Sequence, residues 1–133
     1  MSKKSSFQFK GYKINKSLIE IKGIGADELT VNFEPSGVLD RVKNIFFLNL
    51  KVKVFDLEKN TNIEVEIEGQ YSFNDEDNNL KDFLFLNAPA ILFPYIRSYI
   101  TALSALSGAA PITLPTMNLS GLSEQLKDNI TEK

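Results

Sequence analysis

The 133-residue chain has no cysteine, no histidine and no tryptophan. Without cysteine there are no disulfides, thiolate metal sites, iron–sulfur clusters or cysteine nucleophiles. Without histidine the usual triads and the common zinc sites go as well. Carboxylate chemistry and oxygen-ligated Ca²⁺ or Mg²⁺ survive, but few enzymes work that way. The expectation is a chain with no catalytic residues, no metal and no cofactor. The basic opening, residues 1–13, also lacks the apolar run of a secretion signal, which points to a cytoplasmic protein.

No large excess of one charge is present either, since the net is −2. The charge is uneven, however. Residues 1–53 carry ten Lys/Arg and five Asp/Glu, residues 54–82 two and nine, and residues 83–133 three and three. The basic excess is spread along strand-like sequence with acids between, so nucleic acid is not the expected partner.

What the chain does have is alternation. Phe46, Leu48, Leu50, Val52 and Val54 mark one face of a strand, and Ile63, Val65 and Ile67 mark the same face of the next. Residues 58–62 between them are polar and read as a hairpin loop. A third run starts at Phe7-Gln8-Phe9 and continues unevenly to Ile21, with Gly11 as a candidate bulge. Residues 29–33 form a short strand that Pro35-Ser36-Gly37 ends, leaving residues 35–44 as a crossover loop. After the polar break at residues 74–79 the period becomes helical. Residues 80–86 read as a lead-in helix and residues 90–106 as the main helix, stopped by Gly108. Leu119, Leu122, Leu126 and Ile130 define a last amphipathic helix. The class is α+β in one domain, residues 1–133: a four-stranded antiparallel sheet over about residues 7–74, a long helix over about 80–107 and a shorter one over 119–130.

Residues 90–106 carry one formal charge, Arg97. Arg97 near the middle of the apolar stretch costs about 2.5–3.5 kcal/mol in a bilayer, and two prolines weaken a span further, so membrane insertion is not expected. On a helical wheel, Leu92, Tyr95, Ile96, Tyr99, Ile100, Leu103 and Leu106 form a large face, Arg97, Thr101, Ser104 and Gly108 a polar stripe, and Ser98, Ala102 and Ala105 a small face. The large face suits a sheet. The small face fits either a slightly apolar surface or a partner subunit. The second reading predicts a symmetric homo-oligomer, with Ser98, Tyr99, Ala102 and Ala105 at the contact.

Glu64, Glu66 and Glu68 share a strand face too openly spaced for acid–base chemistry. They form either a solvated face paired with Lys51 and Lys53 or an acidic docking surface. Asp75-Glu76-Asp77-Asn78 lacks the spacing of a calcium loop, and Gly23-Ile24-Gly25 that of a nucleotide loop. Residues 109–119 are uncharged and proline-stiffened. They either pack over the sheet edge or wall an apolar groove with Val38, Leu39 and Val42, with Met117 as an adaptable contact.

The string Asn87-Ala88-Pro89-Ala90-Ile91-Leu92-Phe93-Pro94-Tyr95-Ile96-Arg97 resembles the signature of the SecB export chaperones. The likeness continues through Gly108, Pro111, Pro115 and Asn118-Leu119, and through Phe7-Gln8-Phe9 and Gly69-Gln70-Tyr71-Ser72-Phe73. The resemblance implies a SecB-like fold, a tetramer built as a dimer of dimers, and an ATP-independent holdase without cofactor. Such a protein holds unfolded polypeptide clients in apolar grooves and passes them to the translocase ATPase SecA. It implies client contact by the crossover loop, by Ile112, Leu114 and Met117, and by Leu119, Leu122 and Leu126 of the last helix. Glu64 falls at a family position that contacts SecA, which makes Glu64 and Glu66 the docking candidates. Lys16, Ser17 and Ala110 depart from the family pattern, the first two near its acidic contacts. The alternative the resemblance leaves open is a solitary SecB-like chaperone dedicated to an antitoxin.

Overall fold

The computed structural model describes residues 7–22, 28–58, 60–74, 79–116 and 118–133. Met117, the Gly23-Ile24-Gly25 turn and the Asp75–Asn78 run lie outside them. Strands β1 (Gln8–Ile21), β2 (Thr30–Asp40), β3 (Ile45–Phe55) and β4 (Thr61–Ser72) come first. Helices α1 (Leu80–Asp82), α2 (Ala88–Leu106) and α3 (Leu119–Lys127) follow, and β5 (Ile130–Glu132) comes last. The sheet order is β1-β4-β3-β2-β5.

The alternating runs form the centre. Antiparallel β3 and β4 set Phe46 opposite Tyr71, Leu50 opposite Ile67, Val52 opposite Val65 and Val54 opposite Ile63. All eight side chains have 0% exposure. Between them, Gly69 leaves room for α2: a Cβ there would lie 3.0 Å from both Leu92 Cδ1 and the Tyr71 hydroxyl. That hydroxyl donates to Ala88 O at 2.7 Å, and burial raises its pKa far above the usual tyrosine value, so it remains a donor. The uneven alternation of β1 comes from two register shifts, at Phe9/Gly11 and Ile14/Lys16. Gly11, with φ +126°, sits at the first.

The sheet differs from the expectation at β2. Residues 35–40 are not a crossover loop; the strand runs through Pro35-Ser36-Gly37 to Asp40. The physical reason lies in the side to which Pro35 turns its nitrogen. Gly37 N donates away from β3, to Asn129 O at 3.1 Å. Pro35, two residues earlier, points its nitrogen to the same side, where no described strand lies, so no ladder bond is lost. The reversal is a tight turn over residues 41–44, where Asp40 Oδ1 accepts from Val42 N and Lys43 N, both at 3.1 Å, and Asn44 takes φ +55°. The second difference is β5. The last helix stops at Lys127, and Ile130–Glu132 pairs parallel with Gly37–Leu39, giving a mixed five-stranded sheet.

Helical residues run from Leu80 to Leu106, interrupted by a π-helical turn at Phe83–Asn87. Pro89 explains the turn: it lacks an N–H, and its ring crowds the carbonyl of Phe85, four residues back. The wider i+5 bond from Ala88 N to Phe83 O accommodates it. The run of 27 residues is long and apolar enough by composition to cross a membrane. Here its Leu92, Ile96 and Ile100 are fully buried in the core shared with the sheet. Its C-terminus closes with Gly108 N to Ala105 O at 3.2 Å and Ala109 N to Ser104 O at 3.1 Å. Gly108 takes φ +87°, the left-handed end that glycine supplies. Two wheel assignments change. Ser104 is buried, not part of a solvated stripe, and Leu106 is 87% exposed, not on the sheet side.

The first prediction concerns this contact. Ile100→Ala should cost about 2–5 kcal/mol, read as a lowered urea midpoint with unchanged slope; a midpoint equal to that of the wild type would mean that the stripe does not hold the layers together.

Candidate functional site

Ser104 is buried because it works on the segment that follows. Ile112 N donates to Ser104 Oγ at 2.9 Å, and Thr101 Oγ1 donates to Ile112 O at 2.7 Å. Both backbone groups of Ile112 are thus held by two hydroxyls one helical turn apart. Ser104 Oγ also donates to Ile100 O at 2.9 Å. The uncharged connection is therefore tied to α2, and Leu114 enters the core at 1% exposure. Asn118 then caps α3 by accepting from Gly121 N at 3.2 Å.

This route divides the client-contact candidates. Leu39, Leu114, Leu122 and Leu126 belong to the core, at 2%, 1%, 4% and 0% exposure. Ile112 is half-buried beside them. Val38 lies on the opposite face of the sheet, half-buried and paired with Phe47. Val42 is 89% exposed at the β2–β3 turn. Leu119 opens α3, and Met117 is outside the described residues. The candidates do not converge on one open groove.

Two depressions lie close by instead. One, of ≈ 460 Å³, runs between β2 and α3 and is lined by Val31, Phe33, Asn118, Gly121, Leu122 and Gln125, among others. The other, of ≈ 610 Å³, runs along the outer side of α2 and includes Phe93, Arg97, Ala102 and Pro111. Phe33 and Phe93 meet edge to face with ring centroids 5.9 Å apart, forming a ridge between the two. Sequence reasoning passed over Val31, Phe33 and Phe93. The first two fit a strand core and the third lay inside the family string, so nothing in their spacing marked them as half-exposed. Of the subunit-contact candidates, Ser98, Ala102 and Ala105 are exposed and border the α2 depression. Tyr99 is half-buried and donates to Ser17 Oγ at 2.9 Å.

The outer face of the sheet is charged and largely self-paired. Glu64 sits between Lys16 at 3.3 Å and Lys51 at 3.4 Å. Lys51 also reaches Glu66 at 3.7 Å, Lys13 reaches Glu68 at 3.5 Å and Lys53 reaches Glu34 at 3.7 Å. Desolvation pushes the Glu64 carboxyl up, but hydrogen bonds and charge from Lys16 and Lys51 outweigh it and hold it below the ordinary value. The hydrogen bond to Glu64 correspondingly raises Lys51.

A family model described as "Preprotein translocase subunit SecB" matches residues 26–129. The chain belongs to the SecB family. Protein-export protein SecB of Ehrlichia canis is 34% identical over 56 residues, 41% of this chain and 32% of that protein. The SecB of Anaplasma phagocytophilum is 32% identical over 71 residues, 50% and 45%. An uncharacterized protein of Methanocaldococcus jannaschii is 33% identical over 75 residues, 53% and 48%. The chain thus spans about half or less of the length of these curated relatives. A SecB-like chaperone of Mycobacterium tuberculosis, solved with a ChAD peptide from an antitoxin, superposes with a TM-score of 0.71 at 15% identity. The match covers 85% of this chain and 88% of that one, and shows that the fold is shared.

The Glu64 pairs carry a pH dependence of definite sign. A carboxyl lowered by folding adds stability above the ordinary value of 4.5, and that increment fades as pH falls through the lowered folded value. Glu64→Gln should therefore unfold at lower urea than the wild type at pH 7, and the gap should narrow as pH falls below the ordinary carboxylate value. A gap that stays constant with pH would contradict the assignment.

Proposed function

We propose that this SecB-family chain is an ATP-independent holdase that binds unfolded polypeptide segments between β2 and α3. The observation that carries this reading is the depression there, whose apolar residues lie beside unpaired strand backbone. On its open side the first half of β2 has no partner among the described residues, while Val31 and Phe33 stay half-buried. Burial of apolar side chains needs no particular sequence, and backbone pairing needs none either. Together they suit clients that share only being unfolded. The reading needs no cofactor, metal or catalytic residue, and a cytoplasmic location is proposed with it.

Glu64 and Glu66 remain the candidates for docking SecA. The two lysines on Glu64 already satisfy much of what a basic partner would offer, and this favours a second reading: a chaperone dedicated to one client, such as an antitoxin. A panel of unfolded proteins separates the two, since a dedicated chaperone protects one client and a general holdase protects many.

Two measurements test the main reading. An equimolar amount of the protein should suppress light scattering by a chemically denatured client as it is diluted, and Phe33→Ser should weaken suppression while keeping cooperative unfolding. No suppression by the wild type would end the holdase proposal. The exposed small face of α2 supports a homo-oligomer, a tetramer in the SecB-like arrangement. Light scattering should then give a multiple of the 14.9 kDa subunit, reduced by Ala102→Arg. A wild-type mass of one subunit would refute assembly.

A further inference from the structure

β5 occupies the same edge of β2 on which the proposed client site depends. We propose that it is an internal strap that shortens the site and is displaced by an extended client segment bearing a large apolar side chain. This rests on the holdase reading.

The backbone shows what the strap covers. Along β2, every second residue turns its N–H and C=O to the open side. Gly37 N donates to Asn129 O at 3.1 Å, and Leu39 O accepts from Lys133 N at 2.9 Å. The residues facing that side are therefore Val31, Phe33, Pro35, Gly37 and Leu39. Pro35 has no N–H. With β5 in place, only Val31 and Phe33 offer both a donor and an acceptor. With β5 gone, Gly37 and Leu39 join them, which doubles the fully functional pairing positions.

The side chains show what a replacement must carry. Gly37 has no side chain, and its place is filled by neighbours: a Cβ there would lie 2.7 Å from Phe46 Cε1 and 2.8 Å from Ile130 Cδ1. Ile130 thus sits in an apolar seat that Gly37 creates beside the Phe46 ring. A client residue of similar size, in register with Gly37, would take that seat.

β5 is also the part of the sheet held most weakly. It pairs with β2 over three residues, against eleven for β3. Thr131, Glu132 and Lys133 are exposed. Its ion pair, Glu132 to Arg41 at 3.3 Å, joins groups about half-exposed, a kind of contact that adds little. Such a segment opens locally without unravelling the sheet.

The test uses a reversible lock. Val38 and Thr131 are register partners on adjacent strands, and the natural chain has no cysteine. Val38→Cys with Thr131→Cys makes a disulfide that pins β5 to β2 when oxidised and frees it when reduced. The probe is reduced, carboxymethylated α-lactalbumin, which stays unfolded and has no free thiol. The oxidised form should bind it about tenfold more weakly than the same variant reduced, and Ile130→Asp should bind at least as tightly as the wild type. Equal affinity in the two redox forms, with binding intact, overturns the strap and leaves the holdase. No binding by any form, the wild type included, overturns both.

Discussion

Leu92, Ile96 and Ile100 of α2 lie with Ile63, Val65 and Ile67 of β4 in one fully buried core. Each such side chain contributes about 1.5–3 kcal/mol on burial, set against a net stability of about 5–15 kcal/mol for a whole domain. Once α2 is laid on the sheet, Gly108 turns the chain back and Ser104 and Thr101 hold Ile112. Leu114 then enters the core and α3 lands beside β2. The outer side of the first half of β2, which no strand pairs among the described residues, and the depression next to it are what this route leaves open.

The same contact makes the sheet one-sided. Its inner face is closed by helices, and its outer face carries Lys13, Lys16, Lys51 and Lys53 among Glu34, Glu64, Glu66 and Glu68. Surface pairs of this kind add little stability singly. Their effect is on the field presented to a partner, because an acid between two lysines offers less to a basic protein than an acid alone. The two faces thus divide the chemistry: burial and backbone pairing on the helix side, balanced charge on the other.

Much of the architecture was legible because two periods are written plainly. Alternation over β3 and β4 gave the buried face, Gly11 marked a bulge that is present, and Gly108 marked the end of α2. The missed features each turn on a direction that spacing does not encode. Pro35 looked like a strand breaker, and only the side its nitrogen faces makes it harmless. Ile130 continued the i, i+3, i+7 pattern of the last helix, yet its side chain fills the space above Gly37, a long-range contact. Ser104 read as polar surface, because nothing local told that its hydroxyl would hold the backbone of Ile112. The site suffered most, for a candidate list drawn from apolar residues cannot separate those that build the core, such as Leu114 and Leu126, from those beside an open edge, such as Val31 and Phe33.

The central claim is that unfolded chains are held on the helix side, against the β2 edge. Site-specific photo-cross-linking tests it most directly. A photoreactive amino acid in place of Gln125, on the exposed wall of the β2–α3 depression, should cross-link to an unfolded client, whereas the same group in place of Asn49, on the charged face, should not. Cross-links from position 49 and none from position 125 would contradict the account.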